Sequence, residues 1–174
     1  MANVYTFKRA SLFSRHTHVY QGFFTSKSQV SGLQPAFDIH IRSTSFAMSS
    51  ATASGNAMLT GKLEGCSARR GKIHGPHGSV HIEKAGYYTP ELTIHDPTGN
   101  PYYWRISGRL SDGPWVLVDM HNNVFAIFAI STFSQRILGQ ISVAQPISDD
   151  FLHIILLTSM LFLRSVAIAK SRRD

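Results

Sequence analysis

The C-terminal quarter of the chain constrains the fold most. From Phe151 to Ala169 nearly every residue is apolar, and Lys170, Arg172 and Arg173 follow. Ser148 can cap a helix at its start. Asp149 and Asp150 then fall in the first turn and the trailing cations at the last, each where the helix dipole favours that sign. The segment predicts a helix over about residues 149–169. A helix apolar on nearly every side has to be surrounded by lipid or by protein. Its length alone matches a membrane span, yet His153 and Arg164 interrupt it. The uninterrupted run Ile154–Leu163 is shorter than the roughly 18 residues a span requires. At about 100° per residue His153 and Arg164 return to nearly the same face, with Asp149 one turn earlier. A narrow polar stripe fits a protein surround better than a bilayer, and a tail anchor is the competing account.

The rest of the chain supplies such a surround. Phe37, Ile39 and Ile41 alternate with Asp38 and His40, the period of a half-buried strand. Further strands are expected over Ser45–Met48, Ala57–Leu63, Lys72–His74, Ser79–Glu83, Glu91–His95, Tyr102–Ile106, Trp115–Asp119, Val124–Ile130 and Arg136–Val143. Between them lie turn sequences such as Gly75-Pro76-His77-Gly78, Asp96-Pro97-Thr98-Gly99-Asn100-Pro101 and His121-Asn122-Asn123. Short strands at regular spacing, without βαβ alternation, predict a sandwich or a closed antiparallel barrel. Only closure removes the exposed edges. One domain is expected over residues 35–174. Residues 1–34 read as an N-terminal segment, partly strand (Val4, Tyr5, Phe7, Val19, Tyr20, Phe23, Phe24) or disordered.

The whole of the +7 formal net charge resides in residues 1–90, where Asp38, Glu64 and Glu83 are the only acids. An anionic partner, a lipid headgroup or a nucleic acid, would therefore be met mainly by the first half of the chain, although such an excess also serves solubility alone. The single Cys66 can close no intramolecular disulfide and suits a reducing compartment. The N-terminus shows no apolar run of a secretory signal. Its acid-poor, Ser- and Arg-containing composition leaves mitochondrial import as an alternative to a cytoplasmic location, peripheral to membranes.

Several motifs together resemble a known family. They are Asp96-Pro97-Thr98-Gly99-Asn100, Tyr103-Trp104-Arg105, Trp115-Val116-Leu117-Val118-Asp119, Val124-Phe125-Ala126, and the closing Asp149-Asp150-Phe151 with Leu152–Leu163. In that order the chain resembles, over about residues 35–169, the fungal, functionally uncharacterised branch of the tubby-C-terminal-like superfamily. That superfamily also contains the tubby proteins, the phospholipid scramblases and the plant LURP-one-related proteins. The resemblance implies a closed antiparallel β-barrel of about twelve strands around a central hydrophobic C-terminal helix. It implies little about activity, because fold does not fix function. No tubby headgroup-binding motif, acidic calcium loop or cysteine cluster matches residue by residue.

Candidate chemistry is sparse. Lys62, Arg69, Arg70 and Lys72, with Lys84 following, form the densest basic stretch, among glycines, and offer ammonium, guanidinium and backbone N–H donors to an anionic phospholipid or phosphoinositide headgroup. His74, His77 and His81 invite a metal site and hence a histidine-metal hydrolase. Their spacing crosses a Gly-Pro turn without a cysteine, which favours plain surface histidines. Asp119, His121 and Ser131 make a triad on paper only. Trp104 and Trp115, with Tyr87, Tyr88, Tyr102 and Tyr103, match no paired aromatic motif of a nucleic-acid platform and are expected in the barrel wall. The leading expectation is a non-enzymatic binding or scaffold domain, without cofactor, that meets anionic lipid or a protein partner; the hydrolase and the tail anchor remain the alternatives.

Overall fold

The computed structural model describes residues 2–11, 14–51, 57–64, 70–84, 91–96, 98–107, 113–131, 136–144 and 146–170, with the backbone alone for 165–170. Twelve strands precede one helix. They are β1 (Asn3–Arg9), β2 (His16–Gln21), β3 (Phe37–Ile41), β4 (Ser45–Ser50), β5 (Ala57–Glu64), β6 (Arg70–Gly75), β7 (Gly78–Lys84), β8 (Leu92–His95), β9 (Pro101–Ile106), β10 (Trp115–Val118), β11 (Val124–Ile130) and β12 (Ile137–Val143). The helix α1 spans Asp149–Lys170. Each strand pairs antiparallel with its sequence neighbours, and β1 pairs with both β2 and β12, so the sheet closes into a barrel. The expected barrel with its C-terminal helix is therefore the observed fold. The partition at residues 34 and 35 is not: β1 and β2 belong to the barrel, because without them β3 and β12 would be left as open edges.

Alternation places one face of every strand in the lumen. In β12, Gly139, Ile141 and Val143 are buried while Gln140 and Ser142 between them are partly exposed. All twelve strands contribute to a single apolar cluster that also holds Phe151, Leu152, Ile154–Leu157 and Met160–Phe162 of α1. The helix is thus the filling of the barrel, which answers what surrounds an all-apolar helix. No described helix is long and apolar enough to cross a membrane. Ser148 caps α1 as expected, its Oγ accepting the Phe151 N–H at 3.3 Å. Glycine makes room for the Phe46 ring: a Cβ on Gly61 would lie 2.0 Å from that ring and 2.5 Å from the Lys72 carbonyl oxygen.

Because the strands alternate in direction, the barrel has two distinct ends. The helix begins at the end where β12 finishes, here the entry end, together with the β6–β7, β8–β9 and β10–β11 turns. Tyr102 and Phe151 bring their ring centroids to 4.6 Å there. The helix leaves at the opposite, exit end, where the Arg164 guanidinium donates to the Arg42 carbonyl oxygen. The connection after β2 folds back, and Phe24 packs on a satellite cluster of Tyr20, Val30 and Ile137.

Candidate functional site

Chain direction sorts the charges. All five described aspartates, Asp38, Asp96, Asp119, Asp149 and Asp150, belong to the entry half. Asp96 and Asp119 are turn formers: Oδ1 of Asp96 accepts the N–H groups of Thr98 and Asn100 at 2.8 and 2.9 Å, and Oδ1 of Asp119 those of His121 and Asn123 at 2.8 and 2.9 Å. Burial opposes ionisation of Asp96, but the hydrogen bonds from Thr98 and Asn100 outweigh it and hold the carboxyl below its ordinary value. Asp119 is likewise lowered: desolvation acts upward, and the bonds from Asn123 and His121 overcome it.

The exit end is basic. Arg136, Arg9, Arg15, Arg42, Lys62, Arg70 and Lys84 stand at or within two residues of the exit-end terminus of β12, β1, β2, β3, β5, β6 and β7 respectively. In the closed strand order these are consecutive apart from β4, so the cations form an arc around more than half the rim. Arg164 of α1 adds one beside Arg42. The described acids there are Glu64, Glu83 and Glu91. Arg105 of β9 directs its guanidinium the other way, to Asn122 Oδ1 at 2.8 Å.

The predicted basic residues divide within this arc. Lys62 and Lys72 are register partners, both exposed on the outer wall of β5 and β6. Arg70 lies between Glu64 and Glu83 and is paired to Glu83 Oε1 through Nε at 3.1 Å, so much of its charge is already answered. An open depression of about 390 Å³ runs over this wall beside Arg70, Lys72, His81 and His95. Lys84 does not join it. It is register partner to lumen-facing Leu92, at the barrel mouth, where burial and then the Arg164 charge hold its ammonium below the ordinary lysine range. Arg69 lies outside the described residues.

The histidines of the metal expectation do not share a site. His74 Nδ1 bonds Ser79 Oγ at 2.6 Å and His81 is register partner to Lys72, while His77, in the β6–β7 turn, faces Asp150 Oδ2 at 3.4 Å. Among the described residues no three His, Cys, Asp or Glu side chains are arranged to hold a metal ion. A cavity of about 40 Å³ lies beside His77, walled by Leu59, Ile73, Val80 and Ile154, too small for more than a water or two. The paper triad is also apart: Asp119 and His121 share a turn at the entry end, whereas Ser131 follows β11 at the exit end. Trp104 and Trp115 are fully buried in the wall as expected. Tyr87 and Tyr88 lie outside the described residues.

Sequence reasoning missed a cluster on the outer wall of β2 and β3. His16 is register partner to His40 and His18 to Asp38. The His16 and His40 rings stack with centroids 4.0 Å apart and planes 9° apart, and His18 Nδ1 contacts Asp38 Oδ1. Arg15 and Arg42 flank the stack, the Ile41 N–H donating to the Arg15 carbonyl at 3.2 Å. Burial, then His16, Arg42 and Arg15, hold the His40 imidazole below its ordinary value. The signal was present as His16-x-His18 and Asp38-x-His40, but only the β2–β3 register makes it one patch.

No protein-family model and no curated protein matches this chain. Among solved structures it is similar to an X-ray structure of an Arabidopsis thaliana protein, at 9% identity, a TM-score of 0.55, and coverage of 99% of this chain and 92% of the other. At that identity the likeness is one of fold, and it fits the barrel that the tubby-like resemblance implies.

Proposed function

We propose that this chain is a non-enzymatic binding barrel that docks through its exit end on anionic phospholipid surfaces, phosphoinositide-bearing ones included, as a peripheral protein in a reducing compartment. The observation that supports this reading is the segregation of charge along the barrel axis. Cations on seven strands and on α1 gather at one rim, and the aspartates at the other. Each Lys or Arg near an anionic membrane contributes about 1 kcal/mol, so three or four acting together give measurable, salt-sensitive attachment. The opposite acidic end would orient the molecule as it approaches. The histidine-metal hydrolase finds no support in the positions of His74, His77 and His81.

Co-sedimentation with vesicles of phosphatidylcholine alone and with added phosphatidylglycerol or phosphoinositide tests the reading. Binding is expected only to the anionic vesicles. It should weaken as salt shortens the screening length from about 10 Å at 0.1 M, and it should drop in Arg15→Gln/Arg42→Gln and in Lys62→Gln/Lys72→Gln. Absence of binding to anionic vesicles at low salt overturns it and leaves a protein-partner scaffold.

A further inference from the structure

The geometry points to a proton-coupled site for phosphate or sulfate ester anions at the exit end of β2 and β3, built from the stacked His16 and His40 rings between Arg15 and Arg42. The inference deepens the reading of the rim as a lipid-facing surface and rests on it for the source of the anion.

Four cationic or titratable side chains lie together here, and the groups around them do not neutralise them. Arg15, His16 and Arg42 are exposed and His40 half-buried. From β4, Ala47 stands opposite His40. From β1, Lys8 stands opposite His18 and over the Tyr20 ring. The connection before β2 supplies the Ser14 hydroxyl, which accepts the His16 N–H at 2.9 Å, and α1 supplies Arg164, fixed on the Arg42 carbonyl. Among the described residues the acid beside them is Asp38, which is engaged by His18. Two neutral imidazoles stack comfortably, but a proton on either ring faces two guanidiniums, and a second proton faces the first. An anion seated on Arg15 and Arg42 reverses the sign of that field. Anion binding and proton uptake by the pair therefore favour each other, and by reciprocity acid strengthens the binding. Each proton fully coupled is worth about tenfold in affinity per pH unit. The gain opens as pH falls through the ordinary imidazole range and levels off below the depressed value of His40 in the free protein.

The test needs ligands whose own charge is constant across that range. Inositol hexasulfate serves as the free anion and phosphatidylglycerol-containing vesicles as the lipid source, each measured with the full chain from about pH 7.5 to about pH 5.5. We expect wild-type affinity to rise at least about fivefold on acidification. In His16→Asn/His40→Asn, with an unchanged circular dichroism spectrum, the pH dependence should flatten while salt-sensitive binding persists. The His40 ring resonances should titrate at higher pH when the hexasulfate is present, a readout independent of any variant. Vesicle binding that is flat with pH, or a pH dependence that survives the double variant, overturns this inference and leaves the rim reading intact. Proton-coupled hexasulfate binding without vesicle binding sinks the lipid reading and keeps the anion site. Binding of neither ligand sinks both.

Discussion

Two tryptophans show how individual residues are accommodated in the lumen. Trp104 Nε1 donates to Thr158 Oγ1 at 3.0 Å, and that hydroxyl in turn donates to the Ile154 carbonyl at 2.7 Å, so a polar residue in the middle of an apolar helix is satisfied on both sides. Trp115, equally buried, has no partner for Nε1 among the described residues and is held by stacking on Phe128, with centroids at 5.2 Å, and by an edge contact to Phe162 at 4.9 Å. Thr158→Val keeps the shape but strands the Trp104 donor. It should cost about 1–3 kcal/mol in urea denaturation with an unchanged m value. A loss well below that would mean that water reaches the indole. The threonine sits inside a run that reads as unbroken in the sequence, and its partner lies far away along the chain, so no local pattern could supply the pair. The same holds for His16 and His40: each was visible in a strand-like segment, while their stacking depends on a pairing that only the closed sheet sets.

At the scale of elements, the strands and the helix were largely written in local pattern. Phe37–Ile41 alternates visibly, Val124–Ile130 is a short apolar run between turns, and both appear with those bounds. The run after Ser148 forms the helix because its caps and charges agree with its apolarity. Leu156 and Leu157 are fully buried, so Leu156→Ala or Leu157→Ala should each cost about 2–5 kcal/mol by chemical denaturation. A fragment of residues 1–149 should fail to melt cooperatively, having lost the filling of its lumen; a cooperative melt would make the helix an appendage. The turns carry the acid sensitivity. The folded-state values of Asp96 and Asp119 are depressed, so each contributes stability that is fully present above the unfolded carboxylate value near about 4 and is lost as pH falls through the folded value. The difference in Tm between wild type and Asp96→Asn should therefore shrink on acidification below about pH 4. A difference that stays constant would assign the turn's worth to geometry rather than to charge.

For the whole molecule, net charge was readable from composition, but its placement was not. The densest part of the excess in residues 1–90, Lys62 to Lys84, read as one basic loop, whereas strand direction spreads the cations along an arc, turns Lys84 into the mouth and ties Arg70 to Glu83. The role of the N-terminal strands was hidden for the same reason, since β1 finds its partner at the far end of the chain, Asn3 beside Val143. That pairing has a consequence for how a cell makes this protein. Synthesis delivers β1 before its partner β12, and the lumen-filling helix after that, so the seam can shut only once β12 has left the ribosome and the lumen fills only with α1. Until then the future lumen is a one-sided greasy sheet with two open edges, and pairings of such wide separation form slowly. Closure of the barrel is thus expected to wait for α1 and to lean on chaperones. A message cut short before the codons of α1 would yield an aggregation hazard in place of a smaller working domain.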